Sequence, residues 1–210
     1  MKFKKDFIIV HFQEGFFDTT NQRIRNTVKN TLEPLIANAQ TTDIHVSFWE
    51  DDKVKDTTSV IPIPPLSERV SRFVARKGLI EDEYPLKGKE IILVGGWFGA
   101  CINGAIESVM TEFFRSPLLL ETSELTIRMP ETGVYKETEL LSELDDANII
   151  SGIVSAFDNS AAVTEPIVTN RGLRFKIIRT KTQETLTEQM VVPVPNNPKE
   201  RMFDVVFLID

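Results

Sequence analysis

The segment from Ile91 to Ser116 most constrains what this chain can fold into. Ile91–Val94 is a short, wholly apolar run, and the glycine-rich turn Gly95–Ala100 follows it directly. Cys101 then opens a stretch in which apolar residues recur at the 3.6-residue spacing of an amphipathic helix, and Ser116 with the next proline ends it. The apolar positions of this stretch are Ile102, Ile106, Val109, Met110 and Phe113. A buried strand that leads through a tight turn into a helix is typical of an α/β sheet.

The rest of the chain alternates between strand-like and helix-like patterns. Short apolar runs predict five further strands, at Phe7–Val10, Ile44–Trp49, Leu118–Leu120, Leu125–Met129 and Ile149–Val154. Helical spacing predicts three more helices, at Ile24–Ala39, Ser67–Lys77 and Lys136–Asp146. Pro34 lies inside the first of them and either kinks it or begins a second helix. We therefore predict a three-layer α/β/α fold with a mainly parallel sheet.

Composition narrows the classes of function. The 210 residues carry 24 basic and 31 acidic side chains, a formal net charge of −7, so we expect no binding to nucleic acid or to an anionic membrane. One cysteine excludes an intrachain disulfide, and with only two histidines we expect no metal and no cofactor. We find neither a secretory signal nor an apolar run long enough to cross a membrane, and we expect a cytoplasmic protein.

The C-terminal region has a different pattern. We predict an α/β domain over residues 1–160 and a β-rich C-terminal extension over residues 161–210. Its strands are expected around Leu173–Ile177, Val191–Pro195 and Phe203–Ile209. A local basic strip is formed by Arg171, Arg174, Lys176, Arg179 and Lys181. The strip could contact an acidic partner or a second copy of the chain, or it could be the solvated face of a strand ribbon.

Two residues are candidates for chemistry. Cys101 opens a helix after a glycine-rich turn, where the helix N-terminus stabilises a thiolate and backbone N–H groups could hold an oxyanion. His11 follows the first strand, and the carboxyl ends of parallel strands share one edge of a sheet. A cysteine–histidine pair there would be an activated nucleophile. The alternatives are a buried cysteine that packs as a small apolar residue and a histidine that only makes structural hydrogen bonds.

Two segments resemble the isochorismatase-like cysteine hydrolases, a family that includes nicotinamidases and other amidases. Phe7–Phe16 is similar to the family's opening strand, and Gly95–Val109 is similar to its cysteine turn. The matching residues are Gln13, Phe16, Gly95, Cys101, Ile102, Ala105 and Glu107. The resemblance covers roughly residues 5 to 155 and implies the three-layer fold already predicted.

The resemblance also implies a mechanism. Cys101 would be the nucleophile that attacks an amide-type carbonyl, and the backbone N–H groups of Trp97 and Cys101 would form the oxyanion hole. A cis peptide bond is implied between Gly96 and Trp97. Ligand contacts are implied for Gln13, Phe16 and Gly96.

The sequence departs from the family at three places. His11 stands where the family has its catalytic aspartate. The family's lysine has no clear counterpart: Ser67 is nearest by spacing, and Arg69 or Arg72 could supply a cation. Glu50–Lys53 occupies the place of the metal-binding Asp-x-His motif and contains no histidine, which disfavours a metal-dependent nicotinamidase.

These departures lead to two main hypotheses. The first is a divergent isochorismatase-like protein that is non-catalytic and acts through binding or assembly, with a homo-oligomer or another protein as partner. The alternative is a cysteine hydrolase that cleaves C–N bonds in a small amide or related acyl compound, using a Cys101–His11 pair. A third reading, a nucleotide or phosphate site at the turn Gly95–Gly99, lacks the Gly-x-Gly-x-x-Gly spacing that such sites need.

Overall fold

A computed structural model of the chain describes residues 3–39, 41–80, 84–116, 124–158, 173–182, 184–186 and 203–210. Their strands join in a single sheet. The strands are β1 (Lys5–Val10), β2 (Ile44–Glu50), β3 (Val70–Arg76), β4 (Leu79–Ile80), β5 (Glu90–Gly96), β6 (Glu124–Met129), β7 (Val134–Lys136), β8 (Glu139–Leu140), β9 (Leu173–Arg179), β10 (Glu184–Leu186) and β11 (Phe203–Ile209).

The strand order across the sheet is β10–β9–β11–β6–β5–β1–β2–β3–β4, and β7 pairs with β5 and β8. All pairs from β9 across to β3 are parallel, whereas the outermost pairs on both sides are antiparallel. The chain runs outward from β1 through β2 to β3 and then crosses back to β5 on the other side of β1. The gap between β1 and β5 is therefore the point at which the strand order reverses, where doubly wound sheets bind their ligands.

Helices cover both faces of the sheet. The α-helices are α1 (Gln22–Ala39), α2 (Cys101–Arg115) and α3 (Asp146–Asp158), and short 3-10 helices span Glu14–Phe16 and Leu141–Glu143. The buried residues of α1 pack into one core cluster, and those of α2 and α3 pack into the other. These layers confirm the predicted three-layer fold. Pro34 lies inside a continuous α1. No helix in the described ranges is long and apolar enough to cross a membrane.

Two helix predictions and one strand prediction are wrong. The predicted helix over Ser67–Lys77 is largely β3, because Val70–Val74 pair in parallel with β2 and this tertiary pairing overrides the local pattern. The predicted helix over Lys136–Asp146 is replaced by β8 and the second 3-10 helix. The predicted strand Ile149–Val154 lies inside α3, whose buried positions recur at helical spacing. The predicted strands at 118–120 and 191–195 lie outside the described residues.

The C-terminal strands continue the main sheet, a point that the sequence left open. β11 pairs in parallel with β6, and β9 pairs in parallel with β11. Phe157 of α3 stacks on Phe175 of β9 with ring centroids 4.6 Å apart. Arg179 and Lys181 of the predicted basic strip both bind the buried Glu131 of the same chain. The C-terminal strands are thus held to the core by both apolar and ionic contacts.

Candidate functional site

The two sequence-predicted reactive residues lie at the carboxyl edge of the sheet, on either side of the point where the strand order reverses. His11 directly follows β1, and the turn after β5 leads to Cys101 at the start of α2. β1 and β5 are neighbours, with Val10 paired to Gly95. The shared edge predicted from the sequence is therefore present, and it lies where open α/β sheets bind ligands.

The turn between β5 and α2 directs backbone N–H groups toward the thiol. The peptide bond between Gly96 and Trp97 is cis, as the resemblance implies. The Trp97 carbonyl accepts hydrogen bonds from the N–H groups of Ala100 at 3.0 Å and Ile102 at 3.1 Å. The backbone N–H groups of Trp97 and Cys101 both lower the pKa of the Cys101 thiol and thus favour the thiolate. These are the two N–H groups that the resemblance assigned to the oxyanion hole.

The thiol is nevertheless held in its protonated form. Burial raises the pKa of Cys101, and the N–H group of Trp97 opposes that rise. The negative charge of Asp51 raises the pKa further, and the positive charge of Lys77 lowers it. Because the net pKa lies above the usual value of a thiol, little thiolate is present near neutral pH.

His11 is buried and its ring is committed to a backbone carbonyl. Its residue is 1% exposed and has a left-handed φ of 49°. Nε2 lies 2.7 Å from the carbonyl oxygen of Ala75, which can only accept, so Nε2 carries the proton. Nδ1 is then the unprotonated nitrogen, and it has no partner among the described residues. Burial lowers the pKa of His11, against the Ala75 hydrogen bond and the charge of Asp51, so the ring is neutral near pH 7.

The predicted Cys101–His11 pair is therefore not hydrogen-bonded. One ring nitrogen binds Ala75, and the other lacks any partner. The negative charge of Asp51 raises the pKa of both residues, so this carboxylate acts on the thiol and on the imidazole. Catalytic hydrogen bonds are often long before substrate binds. The role of the pair thus stays a prediction.

The three residues assigned to ligand binding each make defined contacts. Gln13 is fully buried, donates to the carbonyls of Asp51 and Thr57, and accepts the Asp51 N–H at 2.7 Å. It thereby ties the loop after β2 to the end of β1. Phe16 stacks on the His11 ring at 5.4 Å, with an interplanar angle of 5°. Gly96 leaves room for the Tyr135 ring, which a Cβ would meet at 2.3 Å. Their contacts with a ligand remain predictions.

Sequence reasoning missed Lys77. The candidates named for the family's lysine are engaged elsewhere: Arg69 donates to the carbonyl of Thr42, and Arg72 pairs with Glu50. Lys77 follows β3 and precedes Gly78, where a Cβ would lie 1.8 Å from the carbonyl oxygen of Cys101. The signal that could have identified Lys77 is a lysine–glycine turn after a strand. It was missed because Ser67–Lys77 was predicted to be a helix.

Space for a small molecule is present at this edge. A cavity of about 380 Å³ is lined by Gln13 after β1 and by residues of β2, β3 and the loop after β2, among them Asp51, Thr57 and Phe73; His11 and Cys101 do not line it. Glu50 also lines it, and its buried Oε1 has no hydrogen-bond partner. Pockets for small ligands start at about 300 Å³. Across the described ranges, we find no cluster of three or more histidine, cysteine or acidic side chains that could hold a metal ion.

Comparisons with known proteins give structural similarity only. No family model and no curated protein match the sequence. An isochorismatase-like hydrolase from Alkaliphilus metalliredigens is 12% identical, with 72% of this chain and 82% of that chain covered and a TM-score of 0.47. A nicotinamidase from Staphylococcus aureus is 11% identical, with 79% and 96% covered and a TM-score of 0.47. The MAR1 ribonuclease from Caenorhabditis elegans is 16% identical, with 74% of each chain covered and a TM-score of 0.46.

Proposed function

We propose that the chain is a divergent isochorismatase-like protein that does not hydrolyse amides and acts by binding at the carboxyl edge of its sheet. The observation that carries this proposal is the state of Cys101. Burial raises its pKa, and neither ring nitrogen of His11 is hydrogen-bonded to it, since Nε2 donates to the carbonyl of Ala75 and Nδ1 has no partner among the described residues. A catalytic thiol needs either a lowered pKa or an adjacent base that takes its proton. Such a base in turn needs a group that orients it.

The same edge has groups that suit a ligand with a carbonyl oxygen. The N–H groups of Trp97 and Cys101 both stabilise negative charge at the Cys101 sulfur, and Nδ1 of the buried His11 can accept a hydrogen bond. A cavity lined by Gln13 and Asp51 lies at the same edge and has the volume of a small-ligand pocket. Binding would satisfy polar groups that are otherwise buried at a cost. We expect a small amide or related acyl compound as the ligand, and a second copy of the chain or another protein as the partner.

The deciding experiment is the rate of Cys101 alkylation by iodoacetamide as a function of pH, for wild type and for His11→Ala. We expect an apparent thiol pKa at or above the reference value of about 8.5 in both proteins, with no turnover in a screen of small amides. Lys87→Met is the matched control, because Lys87 lies at the opposite edge of the sheet. A pKa well below the reference that rises on His11→Ala, together with amide hydrolysis that vanishes in Cys101→Ser, would refute the proposal.

A cysteine hydrolase is the second candidate, and Lys77 favours it. Its positive charge acts on the thiol beside the two N–H groups, which is the kind of support that a thiolate needs. In this mechanism the thiol proton passes to Nδ1 of His11 while Sγ attacks the carbonyl carbon, and the leaving amine takes that proton. Water then hydrolyses the thioester to the acid. Loss of turnover in both Cys101→Ala and His11→Ala is expected, and activity that survives either change contradicts it.

A further inference from the structure

A second cluster of reactive side chains lies at the amino edge of the sheet, away from Cys101. Asp6 of β1, His45 of β2 and Ser71 of β3 stand on three neighbouring strands and point to the same face. His45 Nδ1 is 2.9 Å from Asp6 Oδ1, and His45 Nε2 is 2.9 Å from Ser71 Oγ. The chain of contacts is serine, histidine and carboxylate, in the order that activates a serine hydroxyl.

The partners of the carboxylate fix the direction of each hydrogen bond. Asp6 accepts backbone N–H groups from Lys87 at 2.9 Å and Gly88 at 2.7 Å, and it accepts the Tyr84 hydroxyl at 3.1 Å. Because Asp6 accepts all of these, Nδ1 of His45 carries a proton and donates to it. In the tautomer with its proton on Nδ1, Nε2 accepts the hydroxyl proton of Ser71.

The cluster is also held rigidly while its nucleophile remains accessible. Asp6 and His45 are fully buried, whereas Ser71 is half-buried. Backbone donors fix the carboxylate of Asp6, and the carboxylate orients the imidazole of His45. The fixed imidazole directs the lone pair of Nε2 toward the hydroxyl of Ser71. Two cations lie near the cluster: Arg69 and Lys87 are within 6 Å of the ring centroid of Phe3, whose ring lies 5.7 Å from that of His45.

We propose that Ser71, His45 and Asp6 form a hydrolytic site for small carboxylic esters that bear a negative charge. Ser71 Oγ attacks the ester carbonyl carbon while its proton moves to Nε2 of His45. The tetrahedral intermediate expels the alcohol, which takes that proton, and leaves an acyl group on Ser71. Water then attacks the acyl–serine with His45 as base, releasing the carboxylic acid and restoring the hydroxyl. The net reaction consumes one ester and one water.

The test labels the whole protein with a fluorescent alkyl fluorophosphonate and locates the adduct by peptide mass spectrometry. We expect Ser71 to react about 100-fold faster than in the urea-unfolded chain, as general-base activation predicts. Ser71→Ala should abolish the adduct. Ser47→Ala is the matched control, because Ser47 lies directly opposite Ser71 in the sheet yet contacts Tyr84 rather than His45. In this variant Ser71 should be labelled at the wild-type rate.

Ester turnover supplies the second readout and separates this site from the cysteine. In a Cys101→Ala background, we expect hydrolysis of mono-p-nitrophenyl succinate that exceeds that of p-nitrophenyl acetate and disappears in Ser71→Ala. Circular dichroism and thermal unfolding establish that each variant is folded. Labelling of Ser71 no faster than in the unfolded chain overturns the proposal and leaves the cluster a purely structural network. Turnover that survives Ser71→Ala overturns it as well.

Discussion

The two edges of the sheet treat their polar side chains in opposite ways. At the amino edge, Asp6 and His45 use both carboxylate oxygens and both ring nitrogens in hydrogen bonds. At the carboxyl edge, buried atoms are left without partners. Among the described residues, every buried side-chain nitrogen or oxygen that lacks a hydrogen bond belongs to a residue in the last two positions of β2 or just after a strand: His11, Trp49, Glu50, Trp97 and Asp210.

The difference has an energetic meaning. A buried polar atom without a partner costs about 1–3 kcal/mol, whereas a satisfied network rigidifies the structure around it. The hydrogen-bonded network at the amino edge therefore contributes to stability, whereas each unpaired buried atom at the carboxyl edge lowers it. Sites that bind are expected to carry such a cost. The contrast leads to four predictions, in order of decreasing effect.

Asp6→Ala should cause the largest loss of stability. It removes the acceptor of four hydrogen bonds, which His45, Tyr84, Lys87 and Gly88 donate. We expect the free energy of unfolding in urea to fall by several kcal/mol, because each buried donor left without a partner costs about 1–3 kcal/mol.

The matched control for Asp6 is Asp56→Ala. That carboxylate is exposed and accepts only the N–H and hydroxyl of a nearby threonine in its own loop, so its loss should be within about 0.5 kcal/mol. Equal effects of the two substitutions would mean that the amino-edge network does not stabilise the fold.

Gly96→Ala should come next, and it tests the carboxyl edge. A Cβ there would lie 2.3 Å from the Tyr135 ring, which is fully buried and cannot move aside freely. We expect a loss of about 1–3 kcal/mol from overpacking. Gly99→Ala is the control, because no atom lies within 4 Å and only its φ of 83° opposes the substitution. A smaller loss for Gly96→Ala than for Gly99→Ala would contradict the packing described here.

The central strands and the residues at the carboxyl edge were predictable from the sequence. The apolar runs at Phe7–Val10 and Ile91–Val94 identified the central strands, and their carboxyl ends located His11 and Cys101 at one edge. The glycine turn predicted that Cys101 begins a helix, which is α2. A long stretch with a clear helical period, such as the apolar stripe of α2, predicts its structure correctly because burial of that stripe stabilises the helix.

The remainder could not be predicted because it depends on contacts distant in sequence. β3 forms where local spacing favoured a helix, since pairing with β2 outweighs propensity. The charge of Lys77 acts on Cys101 because the neighbouring Gly78 packs against the start of α2. The carbonyl that binds His11 belongs to Ala75, 64 residues away. Likewise, the hydrogen bonds of His45 to Asp6 and Ser71 require the register of three strands.

The third prediction concerns pH. Burial lowers the pKa of His11 in the folded state, below its value of about 6.5 in the unfolded chain. As the pH falls through 6.5, the unfolded chain takes up a proton before the folded chain does, so the free energy of unfolding should decrease. His11→Gln should flatten this dependence between pH 7 and 5, measured by urea denaturation at each pH. Between pH 7 and 9 the two proteins should show the same slope; an unchanged slope below pH 6.5 would contradict a buried, neutral His11.

The smallest effect is expected from Lys77→Met, which keeps the aliphatic stem and removes only the charge. Because Lys77 lowers the pKa of Cys101 against the larger effect of burial, its removal should raise that pKa further and slow alkylation modestly at pH 8. Added salt should weaken the effect of Lys77 in wild type, as screening requires. Lys87→Met leaves the rate unchanged in this scheme. A faster reaction in Lys77→Met would mean that the cation does not act on the thiol, and only the backbone N–H groups of Trp97 and Cys101 would then favour the thiolate.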